Sequence, residues 1–171
     1  NANTILCAID KLRQKGVETT AESVRKGFTN TTALTGLMGR WQTISESPHI
    51  VCDAGHNIGG IEYVSRQLET QECDTLRIVF GMVSDKDITA VLAMMPKKAE
   101  YYFTQASIQR AMPAAELKEK ASAFGLTGNA YPTVPEALKA ATAESNGNDF
   151  IFVGGSCFIV ADLLASTKGQ Q

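Results

Sequence analysis

The chain has 171 residues, of which 44% are hydrophobic and 20% are charged, a composition typical of a globular domain that excludes extensive disorder. Its formal net charge of -2 provides no basic field for binding nucleic acid or anionic lipid. No apolar run approaches the roughly 20 residues that a membrane span requires, so we expect neither nucleic acid nor membrane as a partner.

The first 38 residues predict a short helical segment. An amphipathic pattern over residues 3–15 predicts one helix, which ends at Gly16. A second short helix is expected to start near Thr20 and to close at Gly27. Residues 29–38 are rich in Thr and Gly, and we interpret them as a linker or loop.

From residue 39 onward the pattern is that of an α/β domain. Two strands, over 41–45 and 49–52, are joined by a turn at Ser47-Pro48. Apolar residues spaced three and four apart after residue 57 then predict a helix, and strand and helix patterns alternate to the end. The further strands are expected over 76–83, 99–104, 126–130 and 150–153, and the further helices over 87–95, 113–124, 134–144 and 156–165. This alternation predicts a Rossmann-like open, mostly parallel sheet with helices on both faces.

The most informative stretch lies between the second predicted strand and the helix that follows it. An apolar run ends at Asp53, turns through small residues, and presents His56 and Asn57 as the helix begins. Chemistry in an open parallel sheet is concentrated at this position, beside a helix N-terminus. Two structural interpretations stay open: Asn57 as an N-cap, and Asp53 as an acceptor for nearby backbone N–H groups.

Three other loops add candidate residues. Gly81 leads a loop in which Ser84 or Asp85 is expected to cap the next helix, with Lys86 and Asp87 beside them. Gly154-Gly155-Ser156 opens the last helix, where it is either an anion cradle or a tight turn capped by Ser156. Arg40 precedes the first strand and suits a phosphate or carboxylate. The chain contains no GxxxxGK[ST] phosphate loop, no GxGxxG fingerprint and no GxSxG nucleophile elbow.

Taken together, these motifs resemble those of the folylpolyglutamate synthase/dihydrofolate synthase family, and more broadly the C-terminal domain of the Mur ligase superfamily. The resemblance rests on Gly39-Arg40-Trp41, Asp53-Ala54-Gly55-His56-Asn57, Gly81-Met82 with Asp85-Lys86-Asp87, and Gly155-Ser156 with Phe158. Their order and spacing agree with the family over essentially the whole chain. Two departures are the exchange of Ala54 and Gly55, and Phe158 where the family often has Tyr.

The resemblance implies an ATP-dependent amide ligase that adds L-glutamate to dihydropteroate or a reduced folate through an acyl phosphate, with ATP and Mg²⁺ as cofactors. By similarity, Arg40 would contact the ATP phosphates, Asp53 the ribose and Asn1 the region of the adenine. His56 is the catalytic candidate, because it would orient the incoming amino acid. The residues expected to hold glutamate are His56, Asn57, Ser156 and Phe158.

The resemblance also implies a domain organisation. Residues 1–38 would be the helical tail end of an upstream ATPase domain plus a linker, and residues 39–171 the C-terminal α/β domain. The phosphate loop and the metal-binding acids would lie upstream of Asn1, with no metal site in this chain, which would be inactive alone. Two alternatives stay open: another Mur-type ligase acting on a cell-wall precursor, and a non-catalytic α/β interaction module.

The cysteines indicate a reducing compartment. None of the four belongs to a CxxC pair, and Cys52 and Cys157 lie in apolar contexts typical of buried, reduced thiols. We therefore expect no disulfide framework and a cytoplasmic location.

Overall fold

The computed structural model describes residues 2–84 and 88–168. They belong to two compact units, Asn1–Met38 and Gly39–Gln171, which are described separately. None of the helices in the described ranges combines the length and the apolarity needed to cross a bilayer.

The first unit consists of three helices: α1 (Ala2–Gln14), α2 (Ala21–Thr29) and α3 (Thr31–Thr35). The two predicted helices are confirmed, and Thr20 caps α2 through a reciprocal pair of hydrogen bonds with Ser23. The prediction that α2 closes at Gly27 is wrong, because the helix continues to Thr29. The loop predicted over 29–38 is also wrong in part, because α3 forms within it and ends at a left-handed Gly36.

The second unit is built on one six-stranded sheet in the order β1-β2-β6-β3-β4-β5. β1 is antiparallel to β2, and every other neighbouring pair is parallel. The predicted α/β fold is confirmed. The strands are β1 (Gln42–Glu46), β2 (His49–Asp53), β3 (Leu76–Phe80), β4 (Glu100–Phe103), β5 (Gly128–Ala130) and β6 (Phe150–Gly154).

Helices cover both faces of this sheet and divide its core in two. Along β6, Phe150 and Phe152 point into one apolar cluster while Ile151 and Val153 point into the other, as the alternation of a strand requires. The first cluster includes side chains of α4 (Ile58–Glu69), α5 (Thr89–Met94) and α6 (Ala114–Ser122). The second includes side chains of α7 (Val134–Ala143) and α8 (Cys157–Lys168).

Two predicted boundaries around β3 differ from the structure. The strand was expected to reach Val83 but ends at Phe80, because the next residue leaves the sheet in close contact with α8. The following helix begins at Thr89, and its N-cap residue Ile88 makes no side-chain cap, so capping by Ser84 is wrong. Asp85, the other predicted cap, lies outside the described residues.

A buried arginine connects the strands at the edge of the sheet where they begin. Arg77 of β3 is 7% exposed, and its Nε donates to Oδ2 of Asp149 at 3.0 Å. Its other nitrogens donate to the Tyr102 hydroxyl at 2.7 Å, to the Glu144 carbonyl at 2.7 Å, and to the Glu100 carboxylate. Burial raises the pKa of the Asp149 carboxyl, but hydrogen bonds from a backbone N–H and from the guanidinium outweigh it. The resulting pKa is below its usual value.

Candidate functional site

Three neighbouring strands end side by side and direct the turns that follow them to one edge of the sheet. Gly154 of β6 is in register with Asp53 of β2 on one side and with Phe80 of β3 on the other. The Gly81 N–H also donates to the Gly154 carbonyl across 3.2 Å. We call this the carboxyl edge, formed by the turns at residues 53–57, 81–84 and 154–158.

The turn that contains Arg40 is bonded directly to the turn that follows β2. The Trp41 N–H donates to Oδ2 of Asp53 at 2.7 Å. The Ala54 N–H donates to the Gly39 carbonyl at 2.9 Å. Because two bonds link these turns in both directions, Arg40 is held beside Asp53 although 12 residues separate Trp41 from that carboxylate in sequence.

Asp53 is a structural brace in this arrangement. Its second carboxylate oxygen accepts the Gly55 N–H at 2.7 Å, so both oxygens are engaged by backbone donors. The interpretation of Asp53 as a backbone acceptor is therefore correct, and its contact with a ribose stays a prediction. Burial, and to a lesser extent the Asp53 charge, raises the pKa of the adjacent Cys52 thiol to about 11.

The backbone around Arg40 adopts two conformations that few side chains tolerate. Gly39 has φ +69°, and a Cβ there would lie 2.8 Å from Cγ1 of Val160. Trp41 has φ +40°, which is unusual for a residue other than glycine, and its indole packs 6.3 and 6.1 Å from two phenyl rings of β6. Between these anchored neighbours the Arg40 side chain is exposed, and it forms no ion pair within the described ranges.

His56 and Asn57 follow in the same turn. Nδ1 of His56 lies 2.9 Å from the Ala54 carbonyl, which can only accept, so Nδ1 carries the proton and Nε2 is the nitrogen left for a ligand. Oδ1 of Asn57 accepts the Gly60 N–H at 2.8 Å and caps α4. The N-cap interpretation of Asn57 is therefore correct for its oxygen, and its predicted contact with glutamate stays a prediction that depends on the amide N–H₂.

The turn that follows β6 is compact. Gly155 has φ +96°, and a Cβ there would lie 2.5 Å from Cε2 of Phe80. Ser156 is buried, and its Oγ accepts the Phe158 N–H at 3.2 Å at the start of α8. The capped tight turn is therefore the interpretation that the structure supports for Ser156. Contacts of Ser156 and the half-buried Phe158 with glutamate stay predictions.

The remaining predicted residues are placed as follows. Gly81 is required by packing, because a Cβ there would lie 2.4 Å from Cδ1 of Ile159 and 2.7 Å from the Thr104 carbonyl. Asn1, Asp85, Lys86 and Asp87 lie outside the described residues. Within residues 2–84 and 88–168, no group of three or more His, Cys, Asp or Glu side chains is arranged to hold a metal ion.

One loop at this edge was missed by the sequence analysis. The segment between β4 and α6 packs against the turn that follows β3. The Ser84 N–H donates to the Arg110 carbonyl at 3.0 Å, and the Met112 N–H donates to the Met82 carbonyl at 3.0 Å. The Arg110 guanidinium lies 4.9 Å from the centre of the Phe158 ring. The signal available was its position, because this polar loop follows a parallel strand.

Comparison with known proteins identifies the class to which this site belongs. Residues 39–157 match the Mur ligase, glutamate ligase domain. The chain therefore belongs to the Mur ligase family. The match begins at the first residue of the second unit and ends at the first residue of α8.

Relatives of this chain include enzymes named for folate. "Dihydrofolate synthase/folylpolyglutamate synthase" of Escherichia coli (strain K12) is 30% identical over 166 residues, which cover 96% of this chain and 37% of the relative. A structure of the bifunctional enzyme from Yersinia pestis, complexed with AMPPNP and Mn, matches with a TM-score of 0.80 at 27% identity, covering 94% of this chain and 38% of that one. E. coli FolC in complex with DHPP and ADP matches with a TM-score of 0.80 at 28% identity, covering 95% and 38%.

These matches confirm the resemblance drawn from the four loop motifs. These relatives carry the names of folate enzymes rather than of cell-wall ligases. The chain spans 37–38% of the length of these relatives.

Proposed function

We propose that this chain is the C-terminal part of an ATP-dependent amide ligase that adds L-glutamate to dihydropteroate, to a reduced folate, or to both. The observation that carries the proposal is the pair of hydrogen bonds joining the Arg40 turn to the Asp53–His56 turn. They join the turn that carries Arg40, a permanent cation, to the turn that carries the His56 imidazole, at the carboxyl edge where α/β sheets bind their ligands. The folate relatives support the choice of substrate.

The nucleotide side of the site would be formed by Arg40, Asp53 and Asn1. A guanidinium provides planar, paired donors that fit phosphate oxygens, and Arg40 is exposed and available for them. Its role would be to neutralise charge on the transferred phosphoryl group, which is the main requirement of phosphoryl transfer. Asp53 would contact the ribose with its remaining lone pairs while it braces the Arg40 turn. Mg²⁺ would supply further charge neutralisation, through ligands upstream of this chain.

The glutamate side would be formed by His56, Asn57, Ser156 and Phe158. In the ligation, phosphorylation of the folate carboxyl group gives an acyl phosphate, the glutamate amine attacks its carbonyl carbon, and phosphate leaves. Nε2 of His56 would accept a hydrogen bond from that amine. This bond would orient the amine so that the nitrogen lone pair of glutamate points at the carbonyl carbon of the acyl phosphate. The Asn57 amide N–H₂ would bind a carboxylate, and the Ser156–Phe158 turn would form the floor.

We also propose that the first unit is the tail end of an upstream ATPase domain that completes the site. None of the residues described in α1, α2 and α3 is buried, although Ile5, Leu6, Leu12, Phe28 and Leu34 are large and apolar. An apolar groove of about 270 Å³ lies between α1 and α2. Apolar helix faces of this kind gain stability only when further chain covers them, and the relatives are longer than this chain. All four cysteines are free, which supports a cytoplasmic location.

The experiment is to measure glutamate-dependent formation of ADP by the full-length protein, with dihydropteroate and with a reduced folate as acceptors. Arg40→Ala and His56→Gln should each lower kcat/KM by about 10²–10³-fold, since each removes a group that acts in the transition state. Arg66→Ala and His49→Gln are matched controls, because Arg66 is a surface residue of α4 and His49 begins β2 at the opposite edge. The 171-residue chain alone should be inactive.

Each result bears on a different part of the proposal. Normal turnover in Arg40→Ala or in His56→Gln would contradict the proposed site. Absence of glutamate-dependent ADP formation in the wild-type protein would contradict the proposed ligase activity. Activity of the isolated chain would overturn the need for an upstream domain. The ratio of activity with the two acceptors distinguishes dihydrofolate synthesis from polyglutamate extension.

A further inference from the structure

The turn that carries Arg40 is closed by a side chain from its own end. The Gly39 N–H donates to Oε1 of Gln42 across 2.8 Å. Gln42 is the half-buried first residue of β1, and its Cα is paired with that of Cys52 in the sheet. A glutamine that reaches back three residues to a backbone N–H is also used in the capping box of a helix N-terminus. The Gln42 side chain therefore ties the start of the turn to the sheet.

This bond fixes a backbone position that glycine would otherwise leave free. Gly39 has φ +69°, and glycine moves between positive and negative φ at little energetic cost. Its carbonyl accepts the Ala54 N–H at 2.9 Å. Because Gln42 holds the N–H of the same residue, both peptide groups that flank the Gly39 Cα are fixed. The chain therefore enters Arg40 in a defined direction.

Trp41 fixes the other side of Arg40 in a strained conformation. Its φ of +40° is unusual for a bulky residue, and such a conformation persists only where the surroundings over-determine it. Here the Trp41 N–H donates to Asp53 at 2.7 Å, and the indole packs against Phe150 and Phe152 of β6. Both peptide groups that flank the Arg40 Cα are therefore bonded to the turn that follows β2.

A fixed backbone reduces the ordering that the exposed Arg40 side chain must undergo when a ligand binds. An arginine on a mobile turn would lose backbone freedom as well as side-chain freedom on binding, and that loss of entropy weakens binding. We propose that Gln42 is a positioning residue, which fixes the Arg40 turn so that the guanidinium meets the ATP phosphates without this loss. This inference rests on the proposed function, in which Arg40 binds those phosphates.

The first test is amide hydrogen exchange at Gly39 in the full-length protein without nucleotide, measured by mass spectrometry. Gln42→Met keeps the length of the side chain and removes its strong acceptor, so exchange at Gly39 should become about 3–10-fold faster. Gln42→Glu keeps an acceptor oxygen and should retain the wild-type rate. Gln67→Met, on the exposed face of α4, is the matched control and should leave the Gly39 rate unchanged.

The second test determines whether Gln42 acts through Arg40. In steady-state assays of glutamate-dependent ADP formation, Gln42→Met should lower kcat/KM for ATP by about 3–10-fold. Adding Gln42→Met to Arg40→Ala should change that constant by less than about twofold, because the side chain that Gln42 positions is already absent. Gln67→Met should have no effect in either background.

The outcomes separate this inference from the proposed function. An unchanged exchange rate at Gly39 in Gln42→Met, or an unchanged kcat/KM for ATP, would overturn the inference and leave the proposed function standing. An undiminished loss in the Arg40→Ala background would also overturn it, since Gln42 would then affect the reaction without Arg40. A wild-type protein without glutamate-dependent ADP formation would instead contradict the proposed function, and this inference with it.

Discussion

Replacing Asp53 by asparagine tests whether this carboxylate braces the Arg40 turn. Asp53 accepts the N–H groups of Trp41 and Gly55, each at 2.7 Å. Asparagine keeps one acceptor oxygen and turns an N–H₂ group toward the other donor. One of the two bonds is therefore lost, and two donors face each other in its place.

The expected cost follows from the charge on the acceptor and from its burial. Hydrogen bonds to charged groups contribute about 1.5–3 kcal/mol, and for the half-buried Asp53 we expect a loss of about 2 kcal/mol. For a domain of this size, that lowers the melting temperature by roughly 4–8 °C. Urea unfolding of the chain without nucleotide measures the loss. Glu62→Gln, which removes an exposed i,i+4 pair with Arg66, should cost about 0.5 kcal/mol or less.

The same measurement separates bracing from a contact with the nucleotide. A residue that only touches the ribose would leave the unfolding free energy unchanged in the absence of ATP, and its loss would appear only in the KM for ATP. An unfolding free energy of Asp53→Asn within 0.5 kcal/mol of the wild-type value, a margin of about one weak surface pair, would therefore refute the reasoning.

Three further predictions concern the packing and titration of buried groups. Gly155→Ala should destabilise the fold by roughly 2–4 kcal/mol in urea unfolding, because φ is +96° and the new Cβ meets an aromatic ring at 2.5 Å; Gly147→Ala, which has open space, should be neutral or stabilising by at most about 1 kcal/mol. Asp149→Asn leaves a buried guanidinium without its main partner and should cost about 3 kcal/mol near pH 7. Because its native pKa is lowered, the stabilisation is present above the unfolded value of about 4 and is lost as pH falls through the native pKa, so the variant should flatten the decline of unfolding free energy below about pH 4. The prediction that both Cys52 and Cys157 are buried is wrong for Cys157, which is exposed at the start of α8. Iodoacetamide at pH 8, followed by mass spectrometry, should therefore label Cys157 and spare Cys52, which is buried and has a pKa raised to about 11.

The sheet could be predicted from the sequence because its signals are local. Continuous apolar runs such as Phe150–Val153 are typical of strands buried on both faces, and the glycine turns after them mark where the strands end. Chain order then required the turns to converge on one edge. For the same reason, Asp53 and His56 could be proposed as neighbours before any distance was known.

What could not be predicted depends on contacts between distant residues. Arg77 interrupts the apolar run of β3, and its partner Asp149 lies 72 residues away in sequence. No residue near Arg77 in the sequence therefore indicates that this cation is buried. The positive φ of Trp41 depends on a carboxylate in another turn and on the rings beneath its indole. The position of Arg110 follows from the fold of its whole loop. Propensity and periodicity contain no information on such pairings.

The arginine cluster where the strands begin has a consequence for engineering. Along β3, Arg77 and the turn at Gly81 lie four positions apart in sequence, a span of about 13 Å in an extended strand. Substitutions that far apart, without shared partners, usually contribute independently to stability. Acid tolerance could therefore be adjusted at one end of the sheet while the ligand contacts proposed for the carboxyl edge are altered at the other.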